Sequence, residues 1–285
     1  MKNLKSKIFL FLILNNKTFC EHNNLIKHMQ ITFIQYMKLS DYFRPEFINN
    51  KEWNLVNRQF EKLRKTLISI KPLIPKIIHQ IWLGGELPNK YIPLQQTWLK
   101  QHPGWEYKLW TDKEVEEFGL ENKILYDATK NFGEKSDIVR YEVLNKFGGL
   151  YVDCDFECLQ PFDILHYYCD FYAGLGYGTN PIVLCGLFGC TPHHPILKAC
   201  IKTMKREQNA KENFVEILNR TSVFHFTKCF MANYTEKSVA FPVTFFYPLP
   251  DFERDTNAKN ILKFIKPESF AIHYWHLSWN NGKLN

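Results

Sequence analysis

No two of the eight cysteines stand in a C-x-x-C pair, and their spacings match neither a zinc finger nor a zinc ribbon. Long hydrophobic runs are missing too. Ile8 to Leu14 is seven apolar residues, far short of the roughly twenty that span a bilayer. No basic stripe interleaved with aromatics occurs: the 36 Lys and Arg are dispersed among 29 acids for a net charge of +7. That argues against nucleic-acid binding. The glycine-rich stretch Gly174 to Thr179, GLGYGT, lacks the lysine and spacing of a P-loop and reads as a flexible flap or turn.

What the chain does have is apolar and aromatic substance. Hydrophobic residues make up 45% and aromatics 16%, which indicates a folded globule. Its 285 residues suffice for one large domain with its own core. A chain of that size needs no disulfides. Cys20, Cys154, Cys158, Cys169, Cys185, Cys190, Cys200 and Cys229 are therefore expected to be mostly free, buried thiols, with Cys154 turned into the core, and no structural zinc is expected.

Lys2, Lys5 and Lys7 precede the Ile8 to Leu14 run, and no small-x-small cleavage site follows. A signal peptide, a short membrane-surface anchor and a plain buried helix all stand as readings of residues 1–16. Leu25 to Lys38 and Glu52 to Ile70 read as helices. In the second, Trp53, Val56, Phe60, Leu63 and Leu67 recur at helical spacing, so it is expected to pack on the main domain. Lys71 to Pro75 marks a boundary, because proline disfavours helix there. Residues 1–72 then form a helical N-terminal extension, and 73–285 the principal domain.

Lys76 to Trp82 reads as a buried strand stopped by Gly84-Gly85, and Trp98 to Trp110 as a helix end, a turn and a second strand. Thr111-Asp112 caps a helix around Val115 to Phe118. His193 and His194, flanked by prolines, read as structural. Strands and helices alternating in this way indicate an α/β sheet with helices on both faces. Such sheets bind ligands beyond the carboxyl ends of their strands.

The densest information lies in Ser136 to Asp155, SDIVRYEVLNKFGGLYVDCD. Ser136-Asp137 reads as a helix start and Gly148-Gly149 as its stop. Leu150 to Val152 reads as a short buried strand running into Asp153-Cys154-Asp155. Residues two apart on a strand share a face, so both carboxylates are expected to converge. Two such acids suit a hard divalent cation completed by phosphate oxygens. Asp137 and Arg140, three apart on a helix, are neighbours; the acid can accept sugar hydroxyls while the guanidinium forks onto phosphate.

The joint pattern S-D-I-V-R-Y and G-G-x-Y-x-D-x-D, with IPKIIHQIWLGG upstream and ECLQPF downstream, resembles the glycosyltransferases of family 32. That family includes initiating and inositol-phosphorylceramide mannosyltransferases, with a more distant likeness to the clostridial glucosylating toxins. The resemblance covers roughly the last three quarters of the chain. It implies a GT-A type Rossmann-like α/β sandwich carrying the helical N-terminal extension. It also implies retention of anomeric configuration, Mn²⁺ or Mg²⁺ as cofactor, and a nucleotide sugar (GDP-mannose or a UDP-hexose) as donor. Carried onto this chain, it makes Trp82 the base-stacking residue and His273, in AIHYWHLSW, a third metal ligand beside Asp153 and Asp155. Ser278 and Trp279 fall near the leaving diphosphate, and Tyr151 near the donor. Asp137, Arg140 and Asp155 are the catalytic candidates. The chain departs from the family at Ser222-Val223, where Gly-Pro is usual, which puts the acceptor-side pocket in question.

The expected function is hexosyl transfer to a glycan, lipid or protein hydroxyl, with membrane-surface association compatible. Two alternatives are a haloacid-dehalogenase-like phosphohydrolase, which shares D-x-D but wants Thr or Val where Glu157 stands, and a nucleotide-sugar-binding protein without turnover. A cytoplasmic or membrane-peripheral location is favoured; N-x-T sequons at Asn16, Asn219 and Asn233 matter only in a secretory setting.

Overall fold

Three β-branched isoleucines favour the extended backbone of Ile77–Ile81, the first strand, β1, which is almost wholly buried. The computed structural model describes residues 29–40, 43, 50–66, 68–205 and 213–276; the apolar run at 8–14 and the pair Ser278 and Trp279 lie outside them. β2 (Glu106–Trp110) and β3 (Gly149–Val152) flank β1, both parallel to it. A short β4 (Phe156–Cys158) follows, then β5 (Phe171–Leu175), β6 (Val183–Cys190), β7 (Ser238–Phe241) and β8 (Ala271–His273). The main sheet runs β2-β1-β3-β6-β5-β7, with β6 antiparallel to both neighbours and β7 parallel to β5. β4 and β8 pair antiparallel in a separate ribbon that sets Phe156 opposite His273. Helices Ile92–Gln101, Asp112–Phe118 and Phe132–Phe147 supply the connections that parallel neighbours require. The carboxyl ends of β1 and β3 therefore open on one side, at Trp82 and Asp153.

The helix expected at Glu52 to Ile70 is Lys51–Leu63, with Asn50 capping it and Arg64 closing it. It stops early because the following chain takes partners elsewhere: Ser69 N–H donates to the Tyr167 carbonyl at 3.1 Å and Leu73 N–H to that of His166 at 2.6 Å. Its apolar face packs on the sheet edge, with Phe60 5.9 Å from Phe241 and 6.0 Å from Phe245, ring to ring. A shorter helix, Phe33–Lys38, starts in a Thr32–Gln35 capping box and sets Tyr36 5.1 Å from Phe245.

The stretch read as a flap begins as strand. Gly174 and Leu175 belong to β5, where a Cβ on Gly174 would meet Tyr247 at 2.6 Å. Trp53 Nε1 donates to the Thr179 carbonyl at 2.8 Å, and Asn50 to Asn180 at 2.7 Å, so the loop is tied to the N-terminal helix. The aromatic and β-branched content of Ala271 to Trp279 favours a strand with His273 and Trp275 on one face, but β8 is shorter. It ends at His273, and Trp275 takes φ +55°, a left-handed turn that no strand continues through. Among the described residues no helix is long and apolar enough to cross a membrane.

Candidate active site

The helix that carries Asp137 and Arg140 begins one turn before the expected Ser136. Asn131 caps it, its side-chain oxygen accepting from Glu134 N–H at 3.0 Å, and it runs Phe132–Phe147. Ser136, released from capping, accepts from Arg140 Nη2 at 3.1 Å and stands 3.3 Å from the Tyr151 hydroxyl. The stop is where the sequence put it. Gly148 closes the helix at φ +63°, and Gly149 at φ +103° turns into β3, where a Cβ would lie 2.6 Å from the Ile77 carbonyl. That corner aims β3 at the cleft.

β3 ends at Val152, so Asp153 to Asp155 form a turn rather than a strand extension. The two acids still converge, because the turn is held at both ends. Asp153 N–H donates to Gly186 on β6 at 2.8 Å, and the Tyr274 N–H to the Asp155 carbonyl at 3.1 Å. Carboxylate oxygens of Asp153 and Asp155 and a ring nitrogen of His273 all lie within 4.8 Å of one another. His273 Nε2 is 3.0 Å from Asp155 Oδ1, and the His276 backbone N–H donates to Oδ2 at 2.8 Å. The His273 ring is fixed between Phe156, stacked at 4.3 Å, and Trp275 at 4.1 Å.

This donor set fits a divalent cation. Two carboxylates and an imidazole suit Mn²⁺ or Mg²⁺. A cis edge of an octahedron with bonds of about 2.1 Å is about 3 Å, and the His273–Asp155 separation matches it. The electrostatics split the pair of acids. Burial alone would raise the Asp155 carboxyl, but the His273 charge and hydrogen bond, with the His276 N–H, hold it down to about 2. Burial pushes the Asp153 carboxyl up, opposed by Arg140 and reinforced by Asp155.

Arg140 is the hub behind them. Its Nη2 lies 3.4 Å from Asp153 and 3.3 Å from Asp137, Nη1 donates to the Cys185 carbonyl at 2.9 Å, and the guanidinium sits 4.5 Å over the Tyr151 ring. Tyr151 donates its hydroxyl to Asp153 at 2.5 Å. Trp82, Tyr91, Phe132, Arg140, Tyr151, Asp153, Asp155 and His273 all line one cleft. Trp82 is half-buried against Tyr91, centroids 5.1 Å apart.

Asp137 is the exception. Only 3% exposed, it is not among the residues lining the cleft; it lies one layer behind, accepting from the Thr221 hydroxyl at 3.2 Å. Burial, partly offset by Arg140, pushes its carboxyl up to about 6. In this structure its contact is with the arginine that faces the cleft.

A model of the glycosyltransferase sugar-binding region containing the DXD motif matches residues 88–171, the span that holds Arg140, Asp153 and Asp155. An uncharacterized glycosyltransferase of Acanthamoeba polyphaga mimivirus, L373, is 32% identical over 171 residues, 55% of this chain and 67% of that protein. The chain belongs to this DXD glycosyltransferase family. Inositol phosphoceramide mannosyltransferase 2 of Schizosaccharomyces pombe is 32% identical over 222 residues, 75% of this chain but 61% of that protein. For inositol phosphoceramide mannosyltransferase 3 of the same yeast the values are 33% over 188 residues, 62% of this chain and 46% of that protein. The chain thus spans about half to three fifths of those two relatives. The PaToxG glycosyltransferase structure superposes with a TM-score of 0.50 at 19% identity, covering 63% of this chain and 76% of that one, and it supports the GT-A type fold.

Within this glycosyltransferase fold, several site neighbours escaped the sequence. Gly186 is one: a Cβ there would lie 2.7 Å from Asp153 Oδ2. Thr221 is another, and Ser222, singled out above only as a departure from Gly-Pro, was not expected beside Asp137. Where the family usually carries Gly-Pro, Ser222 instead begins the helix Val223–Asn233, and its side chain joins Thr221 beside Asp137. The backbone amide of His276 is a fourth, and its ring stands 5.6 Å from Tyr91. Apart from the Ser222 departure, none shows a local signal, because each reaches the site through tertiary contact. His194 caps the helix Pro195–Thr203, a structural role. All seven described cysteines are free and buried, and the Cys154 thiol faces the Ile81 carbonyl at 3.5 Å.

Proposed function

We propose that this chain transfers a hexosyl group, mannose from GDP-mannose in the first instance, from a nucleotide sugar to the hydroxyl of an inositol-phosphate glycolipid, with retention of configuration. The observation that carries the reading is the convergence of Asp153, Asp155 and His273 within 4.8 Å, in a cleft that Arg140 and Trp82 also line. The names of the yeast relatives support mannose and the inositol phosphoceramide acceptor.

Asp153, Asp155 and His273 would hold Mn²⁺ or Mg²⁺. When bound, that ion supplies Lewis-acid stabilisation of the charge that grows on the departing diphosphate. The chain's own residues do the positioning. Tyr151 and Arg140 fix Asp153 from one side, and His276 with His273 fixes Asp155 from the other, so neither acid has to be organised when donor arrives. Arg140 keeps a fixed positive group at the cleft wall beside the leaving phosphates. Asp137 and the Cys185 carbonyl orient that guanidinium. Trp82, half-exposed against Tyr91, offers a flat apolar face for the nucleobase. An internal-return route, in which the leaving phosphate takes the acceptor proton, needs no protein nucleophile, and we assign none. Ser278 and Trp279 remain candidates for the diphosphate on the strength of the toxin likeness.

The test is a donor panel with Mn²⁺, comparing GDP-mannose with UDP-glucose, UDP-galactose and UDP-N-acetylglucosamine, and inositol phosphoceramide as acceptor. Mannosyl transfer that depends on the metal is expected. Steady phosphate release from a generic phosphate ester would mean a phosphohydrolase, and tight donor binding without transfer or hydrolysis would mean a binding protein. Either result removes the proposal.

A further inference from the structure

A second group of metal-binding side chains lies outside the cleft. Helix Pro195–Thr203 packs against helix Val223–Asn233. Cys200 comes from the first, and His225 and Cys229 from the second, four apart and so on one face. All three are buried: Cys200 completely, His225 and Cys229 to 6% exposure. One ligand atom from each lies within 4.8 Å of the other two. The His225 Nε2–Cys229 Sγ distance is 3.8 Å. In a tetrahedral zinc site, with Zn–S about 2.3 Å and Zn–N about 2.0–2.1 Å, the S–N edge is about 3.6 Å.

We propose that Cys200, His225 and Cys229 bind one soft or borderline cation, with zinc(II) fitting best, in a site sharing no residue with Asp153, Asp155 and His273. The ligand chemistry carries the assignment. Two thiolates and an imidazole select zinc or copper(I) over manganese or magnesium. Three protein ligands leave a fourth position for water or for the Thr203 hydroxyl, which stands 3.6 Å from Cys229 Sγ.

The contrast with other cysteines sharpens it. Cys154, Cys158 and Cys190 each direct a lone thiol at a backbone carbonyl, as buried cysteines ordinarily do. Cys229 instead meets a second thiol, an imidazole and a hydroxyl. Thiolates are the form that ligates, so loading the site releases thiol protons. The absence of any C-x-x-C had argued against structural zinc; the ligands are distant in sequence, His225 following Cys200 by 25 positions. A cation here would staple two helices, and the second helix begins at Ser222, beside Asp137.

The experiment uses the full chain, reduced, in the Asp155→Asn background so that the acidic site is weakened. Cobalt(II) is titrated and thiolate-to-cobalt charge-transfer absorption is read, a signal carboxylates and histidine do not give. One equivalent per chain is expected, displaced by zinc. Cys200→Ser and Cys229→Ser should abolish the band, and His225→Gln should weaken zinc binding by more than the roughly 10–100-fold that losing an outer-shell partner costs. Circular dichroism checks that each variant is folded. Absence of the band in the folded, reduced chain overturns the site. So does its persistence in folded Cys229→Ser. A Cys200–Cys229 disulfide forming in air, with no metal taken up by the reduced chain, would mean a redox pair instead.

Discussion

The acidic corner and the sulfur cluster each bring three ligand atoms within 4.8 Å, yet they are made of opposite materials. The corner is oxygen-rich and built at strand ends and a turn, with the Asp153 side chain 27% exposed to the cleft. The cluster is sulfur-rich, built on two packed helices, and sealed. Hard, partly solvated ligands exchange an ion readily and share it with phosphate oxygens. Soft, buried ligands hold an ion as part of the fold. The two sites should therefore answer to different perturbations, one in turnover and the other in melting.

The widest separation is expected from Asp155→Asn. One unit-charge interaction at about 4 Å contributes roughly 4 kcal/mol at an effective dielectric of 20, or about 10³-fold in rate. Initial rates of metal-dependent donor turnover should fall by that factor while the circular dichroism spectrum is unchanged. Wild-type rates would break the metal assignment and the contrast with it. Arg140→Lys follows. An ammonium cannot reach Asp153, Asp137, Ser136 and the Cys185 carbonyl at once, and loss of a fixed positive donor costs about 10²-fold. A kcat loss with KM little changed would place the effect on the leaving group.

How much of this was readable beforehand depended on sequence distance. The D-x-D, the Asp137–Arg140 pair and the Gly148-Gly149 corner lie within twenty residues and were legible as a group, although the two acids converge only because tertiary bonds to Gly186 and from Tyr274 hold their turn. The details that slipped were set by tertiary structure. Asn131 outcompeted Ser136 as the cap because Ser136's hydroxyl is taken by Arg140 and Tyr151. β8 ended early because Trp275 turns left-handed to place its indole N–H on the Leu249 carbonyl at 2.8 Å. Asp137 went behind the wall because Thr221 and Ser222, more than eighty residues on, close over it. The sulfur cluster was invisible for the same reason.

Removing metal tests the other half of the comparison. With zinc at about 100 times its dissociation constant, linkage stabilises the fold by about 2.7 kcal/mol. At roughly 2–4 °C per kcal/mol for a chain of this class, a thiol-competent chelator should lower the melting temperature by about 5–10 °C in the wild type. The same treatment should leave Cys229→Ser where it was. Equal shifts in both would place the stabilising ion in the acidic corner.

An effect of similar size concerns Asp137, and its sign is fixed. Its folded carboxyl titrates at about 6 because of burial, above the ordinary unfolded value of about 3.9. Between those values the folded chain keeps a proton that the unfolded chain has released. Stability from this group is thus complete below about pH 4 and is lost as pH rises towards 6, by about 1.4 kcal/mol per pH unit at most. Asp137→Asn has no such proton, so the wild-type and variant stability curves from urea melts should converge at low pH and separate between pH 4 and 6. Parallel curves would mean that Asp137 is ionised throughout and pairs fully with Arg140. That outcome would return it to the charged machinery of the cleft and shrink the distance between wall and backing layer.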